Sequence, residues 1–409
     1  MNYVIIGNGT AAVGAVEGIR RTDPAGSITL IAAEPYHTYG RPLISYYLEG
    51  RTDRERMKYR PDDFYERNGV TALLGQTVTA LDAAAHTVTL SDGRVIPYDR
   101  LLVATGSSPF VLPFAGLDTV PAYHTFLTLD DALGLERAVS PDSRVFIVGA
   151  GLIGLKCAEG LAARVGSITV TDLAPRVLSS ILDEDCAGMV QAQLEQHGIT
   201  FRLGDSVDHF DGSTAHMKSG DTVPFDVLVI AMGVRPNTAL VKDAGGEVGR
   251  GIVIDESGRT TLPDVYAAGD CAEGMDASTG SRRILAILPN AYRQGECAGV
   301  NMAGGTRTLT DAIPMNAIGF FGMHLVSAGS YDGEVYEERG DGTLKKLFYG
   351  DDRLHGFILI GNVDKAGIYT ALVRNRTPLS QIDFELTKKS PSLVAFGQDY
   401  RRKVLGGVV

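Results

Sequence analysis

A glycine fingerprint occurs twice in this chain. Residues 4–12 read VIIGNGTAA and residues 146–154 read FIVGAGLIG. Each copy is a short apolar run, a Gly-x-Gly-x-x-Ala/Gly turn and a helix-like stretch. A β-like segment ending in an acid follows each, ITLIAAE at Glu34 and SITVTD at Asp172. This is the strand–turn–helix–strand–acid order, with the acid about 20 residues past the turn, that a dinucleotide site requires. Gly7 and Gly9, and Gly149 and Gly151, allow a tight turn and a close approach of pyrophosphate to backbone. Thr10, Ala11 and Ala12, and Leu152, Ile153 and Gly154, open helices whose N–H groups and dipole favour phosphate. Glu34 and Asp172 are placed to accept from ribose hydroxyls. Two complete copies imply two dinucleotides on one chain.

Composition narrows the class. A chain of 409 residues is long enough for two or three domains with a large core. Glycine contributes 49 residues, which suits many βα turns. The net charge of −11 and the lack of a long basic run argue against nucleic acid. No apolar stretch approaches the ~18 residues of a membrane span. The chain begins MNYVIIG, with its first strand at once, so no signal peptide and no membrane contact are expected. The expected location is cytoplasmic.

Three further segments carry a family resemblance. Residues 261–272 read TLPDVYAAGDCA, residues 100–108 read RLLVATGSS and residues 228–237 read LVIAMGVRPN. Together with the fingerprints they resemble the two-dinucleotide (FAD/NAD) pyridine-nucleotide–disulfide oxidoreductase superfamily, from about residue 2 to about residue 300. The resemblance implies that Gly269 and Asp270 reach the ribityl and pyrophosphate region of FAD. It implies that Ala104, Thr105 and Gly106 form the crossing from the FAD to the NAD domain, and that Gly233 lies on the crossing back. Val78 and Pro289 join the implied FAD contacts, Pro289 opening a helix over LPNAYRQGECAGVNMAG that faces the flavin.

The cysteines separate branches within that family. Cys157, Cys186, Cys271 and Cys297 form no Cys-x-x-Cys or Cys-x4-Cys pair and no metal-ligand spacing, so no metal site is expected. Where some branches carry a redox cysteine, this chain has Ile44-Ser45-Tyr46. Cys271 follows Asp270 and is either near the cofactor or a core residue. In place of a thiol stands a basic turn. Tyr39-Gly40-Arg41-Pro42-Leu43 resembles the Arg-Pro segment lying along the flavin in ferredoxin, rubredoxin and nitrite-type NADH reductases. Arg41 is the candidate cation for the reduced flavin. That branch has a Lys shortly after the Pro, where this chain offers only Ser45 and Tyr46.

The second site departs from the pattern once. Two residues after Gly154 the family commonly has an acid near the nicotinamide, and here the position is Lys156. Glu159 lies one turn further on the same helix face, so either it substitutes or backbone alone positions the ring. Asp172 favours NADH over NADPH, while Arg176 leaves NADPH possible.

The expected architecture is α/β, with two Rossmann-like domains of the glutathione-reductase-like kind and a small α+β C-terminal domain. Residues 1–116 and 237–310 form the FAD-binding domain, 117–236 the NAD(H)-binding domain and 311–409 the third. A β-rich arm near 70–98 reads as a hairpin. β-like runs are expected at 344–349 and 354–361, and a helix near 366–374. Phe320 and Phe321 either approach the flavin or fill a core. MNAIGFFG and LHGFILIGNVDKAGIYTALVRNRTPL resemble the NADH:rubredoxin reductase group and the flavin module of nitrite reductase. The cysteine-bearing part that reduces nitrite is absent from this sequence. The reading is an FAD-dependent NADH:acceptor oxidoreductase passing electrons to a small, rubredoxin-like protein. Its alternatives are an NADH oxidase using dioxygen, and a flavin subunit or redox-sensing interaction protein of a larger complex. Lys388, Lys389, Arg401, Arg402 and Lys403 mark a basic end suited to an acidic partner. Oligomeric state is not encoded in any motif.

Overall fold

A computed structural model describes residues 1–392, 395–397 and 402. The chain forms two compact units. One is Met1–Gly274 with Leu288–Leu309, and the other is Met275–Ile287 with the chain from Thr310 onward. Both dinucleotide halves lie in the first unit. Residues 275–287, expected with the FAD half, group with the second.

The first half opens with β1 (Asn2–Ile6), α1 (Thr10–Thr22) and β2 (Ser27–Ala32). Two short helices follow, α2 (Leu43–Leu48) and α3 (Phe64–Arg67), then β3 (Val70–Leu74). β4 (Val78–Asp82), β5 (Thr87–Leu90) and β6 (Val95–Pro97) form a separate antiparallel sheet, and β7 (Arg100–Val103) returns to the first. The expected hairpin over 70–98 is therefore corrected. Gly75, at φ +73°, ends β3, which pairs in parallel with β2, and only 78–97 forms the arm.

The second half repeats this plan. After β8 (Ser107–Pro109), β9 (Tyr123–His124) and α4 (Leu129–Ala138) come β10 (Arg144–Val148), α5 (Leu152–Leu161) and β11 (Ser167–Asp172). Then α6 (Glu184–Gln196) leads to β12 (Ile199–Leu203), an arm of β13 (Val207–Asp211), β14 (Thr214–Met217) and β15 (Thr222–Pro224), and β16 (Val227–Ile230). Thr128 and Asp131 form a capping box that starts α4. The chain crosses back through β17 (Val234–Pro236), α7 (Ala239–Asp243), β18 (Ile252–Val253) and β19 (Val265–Ala267). β20 (Ala272–Asp276) and β21 (Ser281–Arg283) precede α8 (Leu288–Met302).

The two main sheets have orders β19–β7–β1–β2–β3 and β9–β16–β10–β11–β12, parallel throughout. Their central strands are apolar on both faces, as helix-covered parallel strands must be. In the first half α1 packs on α8 almost backbone to backbone. A Cβ at Gly295 would stand 1.9 Å from the Ala11 carbonyl oxygen, and one at Gly14 2.3 Å from that of Tyr292. Only glycine permits that approach, which turns residues 288–302 into part of the first domain's core.

The second unit carries the antiparallel sheet β22 (Met315–Phe320), β23 (Met323–Gly329), β26 (Arg353–Ile360), β25 (Thr343–Gly350) and β24 (Glu334–Gly340), in that order. α9 (Ala366–Asn375) covers it through Tyr369, Leu372 and Val373, over Leu347 and Phe357, and α10 (Phe384–Lys389) follows. Phe320 is buried, and Phe321 occupies the β22–β23 turn at φ +46°.

Candidate functional site

The first glycine turn packs against the end of β7. Gly7 adopts φ +121° and lies under the β7 end, where a Cβ would stand 2.1 Å from the Ala104 carbonyl oxygen. Gly9 is the N-cap of α1, no side chain caps that end, and a Cβ there would meet nothing within 4 Å. The free N–H groups of the first turn thus face open space fit for an anion. Thr10, Ala11 and Ala12 are buried behind them.

Glu34 is already gripped. It accepts from the Tyr39 hydroxyl at 2.6 Å and pairs with the Arg41 guanidinium. Arg41, expected along the flavin ring, pairs here with Glu34. Both partners also reach the second half. The Tyr39 hydroxyl accepts from Leu129 N at 2.9 Å, and Arg41 donates to the Leu127 carbonyl at 3.2 Å. Burial pushes the Tyr39 phenol well above its usual range. Pro42 is exposed and caps α2.

The crossings form one structure. β8 and β17 pair antiparallel, Ser108 opposite Arg235. Asn237 N donates to the Gly106 carbonyl at 2.9 Å, its side-chain amide donates to the Thr105 carbonyl at 2.9 Å, and the Thr105 hydroxyl donates to its carbonyl at 2.8 Å. Gly106, at φ +64°, and Gly233, at φ +123°, both face open space. Beside the crossings stands Asp270. Gly269 before it turns at φ +82° and donates to the buried Gln294 side chain at 2.9 Å. Burial pushes the Asp270 carboxyl up, partly opposed by Arg41, and it accepts no hydrogen bond from the described residues. A half-buried acid without donors among the described residues suits a hydroxyl-rich ligand. Val78 is a core residue packed with Leu81 and Val88, and Pro289 is exposed in the first turn of α8.

The second turn has the same backbone and a different setting. Gly149 turns at φ +120° and Gly151 is the uncapped, open N-cap of α5. A Cβ at Gly154 would stand 2.0 Å from the Gly149 carbonyl oxygen, so this position demands glycine. Leu152 is exposed and Ile153 half-buried. Asp172 is held by backbone, accepting from Ala150 N at 2.7 Å and Ala174 N at 2.8 Å. Arg176 donates to the Leu182 carbonyl at 3.2 Å, away from Asp172.

Lys156 and Glu159 meet where the halves touch. They form an ion pair on α5, and Glu159 is buried. The Lys156 ammonium lies 4.9 Å from the Tyr46 ring centroid, and the Arg51 guanidinium lies 4.6 Å from the same ring. Sequence reasoning weighs Lys156 and Tyr46 separately and misses their contact. It also misses Tyr39, Asn237 and Gln294, whose partners are distant in sequence.

None of the four cysteines is in a disulfide, all are buried, and burial raises the Cys157 and Cys271 thiols. Among the described residues no group of three His, Cys, Asp or Glu could hold a metal ion. No described helix is long and apolar enough to cross a membrane. Of the basic end, Lys388 is engaged by Glu385 and the Phe384, Tyr336 and Tyr349 rings. Arg401 and Lys403 lie outside the described residues.

Comparison with known proteins agrees with this geometry. Residues 1–295 match the family model described as pyridine nucleotide-disulphide oxidoreductase. The chain is 33% identical to the NADH-dependent phenylglyoxylate dehydrogenase subunit epsilon of Aromatoleum evansii, covering 93% of both chains. It is 29% identical to a rubredoxin-NAD(+) reductase of Pseudomonas putida, over 87% of this chain and 94% of that one. Against the assimilatory nitrate reductase electron transfer subunit of Bacillus subtilis it is 30% identical over 94% of its length but spans only 50% of that protein. Among solved structures, the covalent putidaredoxin reductase–putidaredoxin complex matches with a TM-score of 0.87 at 25% identity, over 100% of this chain and 99% of that one. With two glycine turns, paired crossings and this match, the chain is a member of the pyridine nucleotide-disulphide oxidoreductase family.

Proposed function

We propose that this chain takes hydride from NADH on to FAD and hands single electrons to a small redox protein of the rubredoxin kind. The observation that carries the reading is the pair of open, uncapped glycine turns in one compact unit, joined by interlocked crossings. The residues present fit FAD at the first turn. Gly7, Gly9 and the α1 N-terminus would hold its pyrophosphate, Glu34 with Tyr39 and Arg41 its adenosine ribose, and Asp270 its ribityl hydroxyls. The Ala104–Gly106 crossing would line it. Bound there, FAD supplies the conversion between two-electron and one-electron transfer. The second turn, with Gly149, Gly151, Gly154 and Asp172, would bind NADH by backbone and one carboxylate. Asp172 repels a 2′-phosphate, while the charge of Arg176, which donates to the Leu182 and Ser179 carbonyls, leaves NADPH use open. The chain's own residues bind, orient and exclude water. No side chain needs to move a proton.

A small redox partner is supported by the similarity to a rubredoxin reductase and to the putidaredoxin reductase complex. A second reading is a flavin subunit of a larger NADH-dependent enzyme, favoured by the relative that is itself a subunit and aligns over 93% of both chains. The cytoplasm is the proposed compartment, consistent with four cysteines of which none is in a disulfide. NADH consumption under nitrogen, with and without rubredoxin, and then under air tests these readings. Rubredoxin-dependent turnover under nitrogen is expected. Turnover only in air would make the chain an oxidase. Dye reduction without either would favour the subunit.

A further inference from the structure

The two halves of the first unit meet along α2 and α5, and the seam is close. A Cβ at Gly160 of α5 would stand 3.1 Å from the Ser45 carbonyl oxygen and 3.2 Å from the Leu48 Cβ of α2. α2 is capped by Pro42, directly after Arg41, which pairs with Glu34. α5 begins at the second glycine turn. Each helix is thus fixed to one dinucleotide's binding turn, and their contact sets how far apart the two turns stand. At the far end of α5 the seam is tied by hydrogen bonds. Arg164 donates to the Leu48 carbonyl, and the Tyr47 hydroxyl donates to Glu136 of α4 at 2.7 Å. Nearer the glycine turn the contact is of another kind. Lys156 of α5 sits on the face of Tyr46 of α2, with its charge balanced by buried Glu159. Arg51 of the first half covers the same ring. A half-buried cation over an aromatic face is held more strongly than an exposed one, and the ion pair to Glu159 fixes its direction.

We propose that Lys156 and Tyr46 are a positioning pair, a latch between the halves that holds the reacting ends of the two dinucleotides in register. This rests on the hydride-transfer reading above. The latch is a contact between protein side chains. Neither residue exchanges a proton or an electron with the substrate. Its effect falls on geometry, where a misplacement of about 1 Å costs about 100-fold in rate. Loss of the latch should therefore slow transfer and leave NADH binding, carried by the turn and Asp172, nearly unchanged.

The test uses Lys156→Met, Tyr46→Leu, their double variant and Lys156→Arg, with Arg56→Met as a surface-charge control. Arg56 pairs with neighbouring Asp53 and its side chain is 76% exposed. Amide hydrogen exchange is read on α2 and α5 in flavin-free and flavin-loaded protein. Stopped-flow reduction by NADH gives the limiting rate and the dissociation constant separately. Faster exchange at 43–48 and 152–161 is expected in both single variants, in both flavin states. The limiting rate is expected to fall about 10-fold or more, with a change in dissociation constant under about threefold. The double variant should be no worse than the worse single one, because both remove the same contact. Lys156→Arg, whose guanidinium also stacks on a ring, should restore the rate. Unchanged exchange, an unchanged limiting rate, strictly additive losses or no rescue by Arg would each overturn the latch. If one single variant does not fold, the other carries the same measurements. If wild-type flavin is not reduced by NADH at all, the functional reading fails. The exchange comparison in flavin-free protein still decides whether the latch exists.

Discussion

The two halves share the order of their four core strands, their arms and their glycine turns, yet they hold their acids in opposite ways. In the first half, side chains from a loop close on Glu34, and the helix start behind Gly9 is buried. In the second, two backbone amides hold Asp172 and the helix start at Leu152 is exposed. The first turn is additionally backed by α8, packed against α1 through glycines. These settings assign each turn a different task. A turn whose acid is clamped by side chains suits a dinucleotide that stays. A turn whose acid is preset by backbone suits one that must arrive and leave at every cycle.

The largest expected effect falls at the third fingerprint position. Gly154→Val drives atoms into the Gly149 carbonyl, and kcat/KM for NADH should fall by about 100-fold or more while flavin content is kept. If flavin is lost as well, the two turns are not independent. Next come the acids. Glu34→Ala should yield protein that sheds FAD on gel filtration, because Arg41 and Tyr39 lose their shared partner. Asp172→Ala should keep its flavin, raise the KM for NADH about tenfold or more and narrow the gap to NADPH, one charge-assisted bond being worth ~1.5–3 kcal/mol. Flavin loss from both variants, or from neither, would erase the contrast.

A smaller effect belongs to Asp270, and it depends on pH. Its carboxyl is raised by burial, so the folded state holds a proton more tightly than the unfolded one. The resulting penalty is absent below the unfolded pKa of ~3.9 and grows as pH rises through the folded one. Asp270→Asn should therefore raise the melting temperature of flavin-free protein at neutral pH, lose that advantage below about pH 3.9, and weaken FAD binding. A variant less stable than wild type at neutral pH would mean that the carboxylate has a partner in the fold. The smallest effect is expected from replacing all four cysteines. They are buried and form no disulfide, so NADH-to-dye turnover should stay at the wild-type level with flavin bound, and only thermal stability should decline.

Much of this is legible from local patterns. The turns, their acids and the crossings are each short stretches of contiguous sequence, and the apolar runs mark β25 and β26 correctly. Arg41 shows where local reading stops. Its neighbours in sequence suggest a flavin contact and say nothing of Glu34, with which the intervening turn brings it to pair. Likewise β3 pairs with β2 across two intervening helices, and read locally it looks like part of the arm that follows it. Tyr46 and Lys156 belong to different halves, and no spacing rule connects a tyrosine in one helix to a lysine in another.

The glycine contact between α1 and α8 also governs the order of events at birth. α1 ends at Thr22, and α8, which covers it, begins only at Leu288. At ~5–20 residues per second a ribosome needs on the order of tens of seconds to cross that interval. During it the first fingerprint helix emerges without the partner that buries Ala11 and Ala15. The second half, contiguous in sequence, is complete before the first half can close. A nascent chain of this protein therefore has reason to fold its second half first and close its first half last, with the uncovered α1 face in need of protection until Met302 has left the exit tunnel.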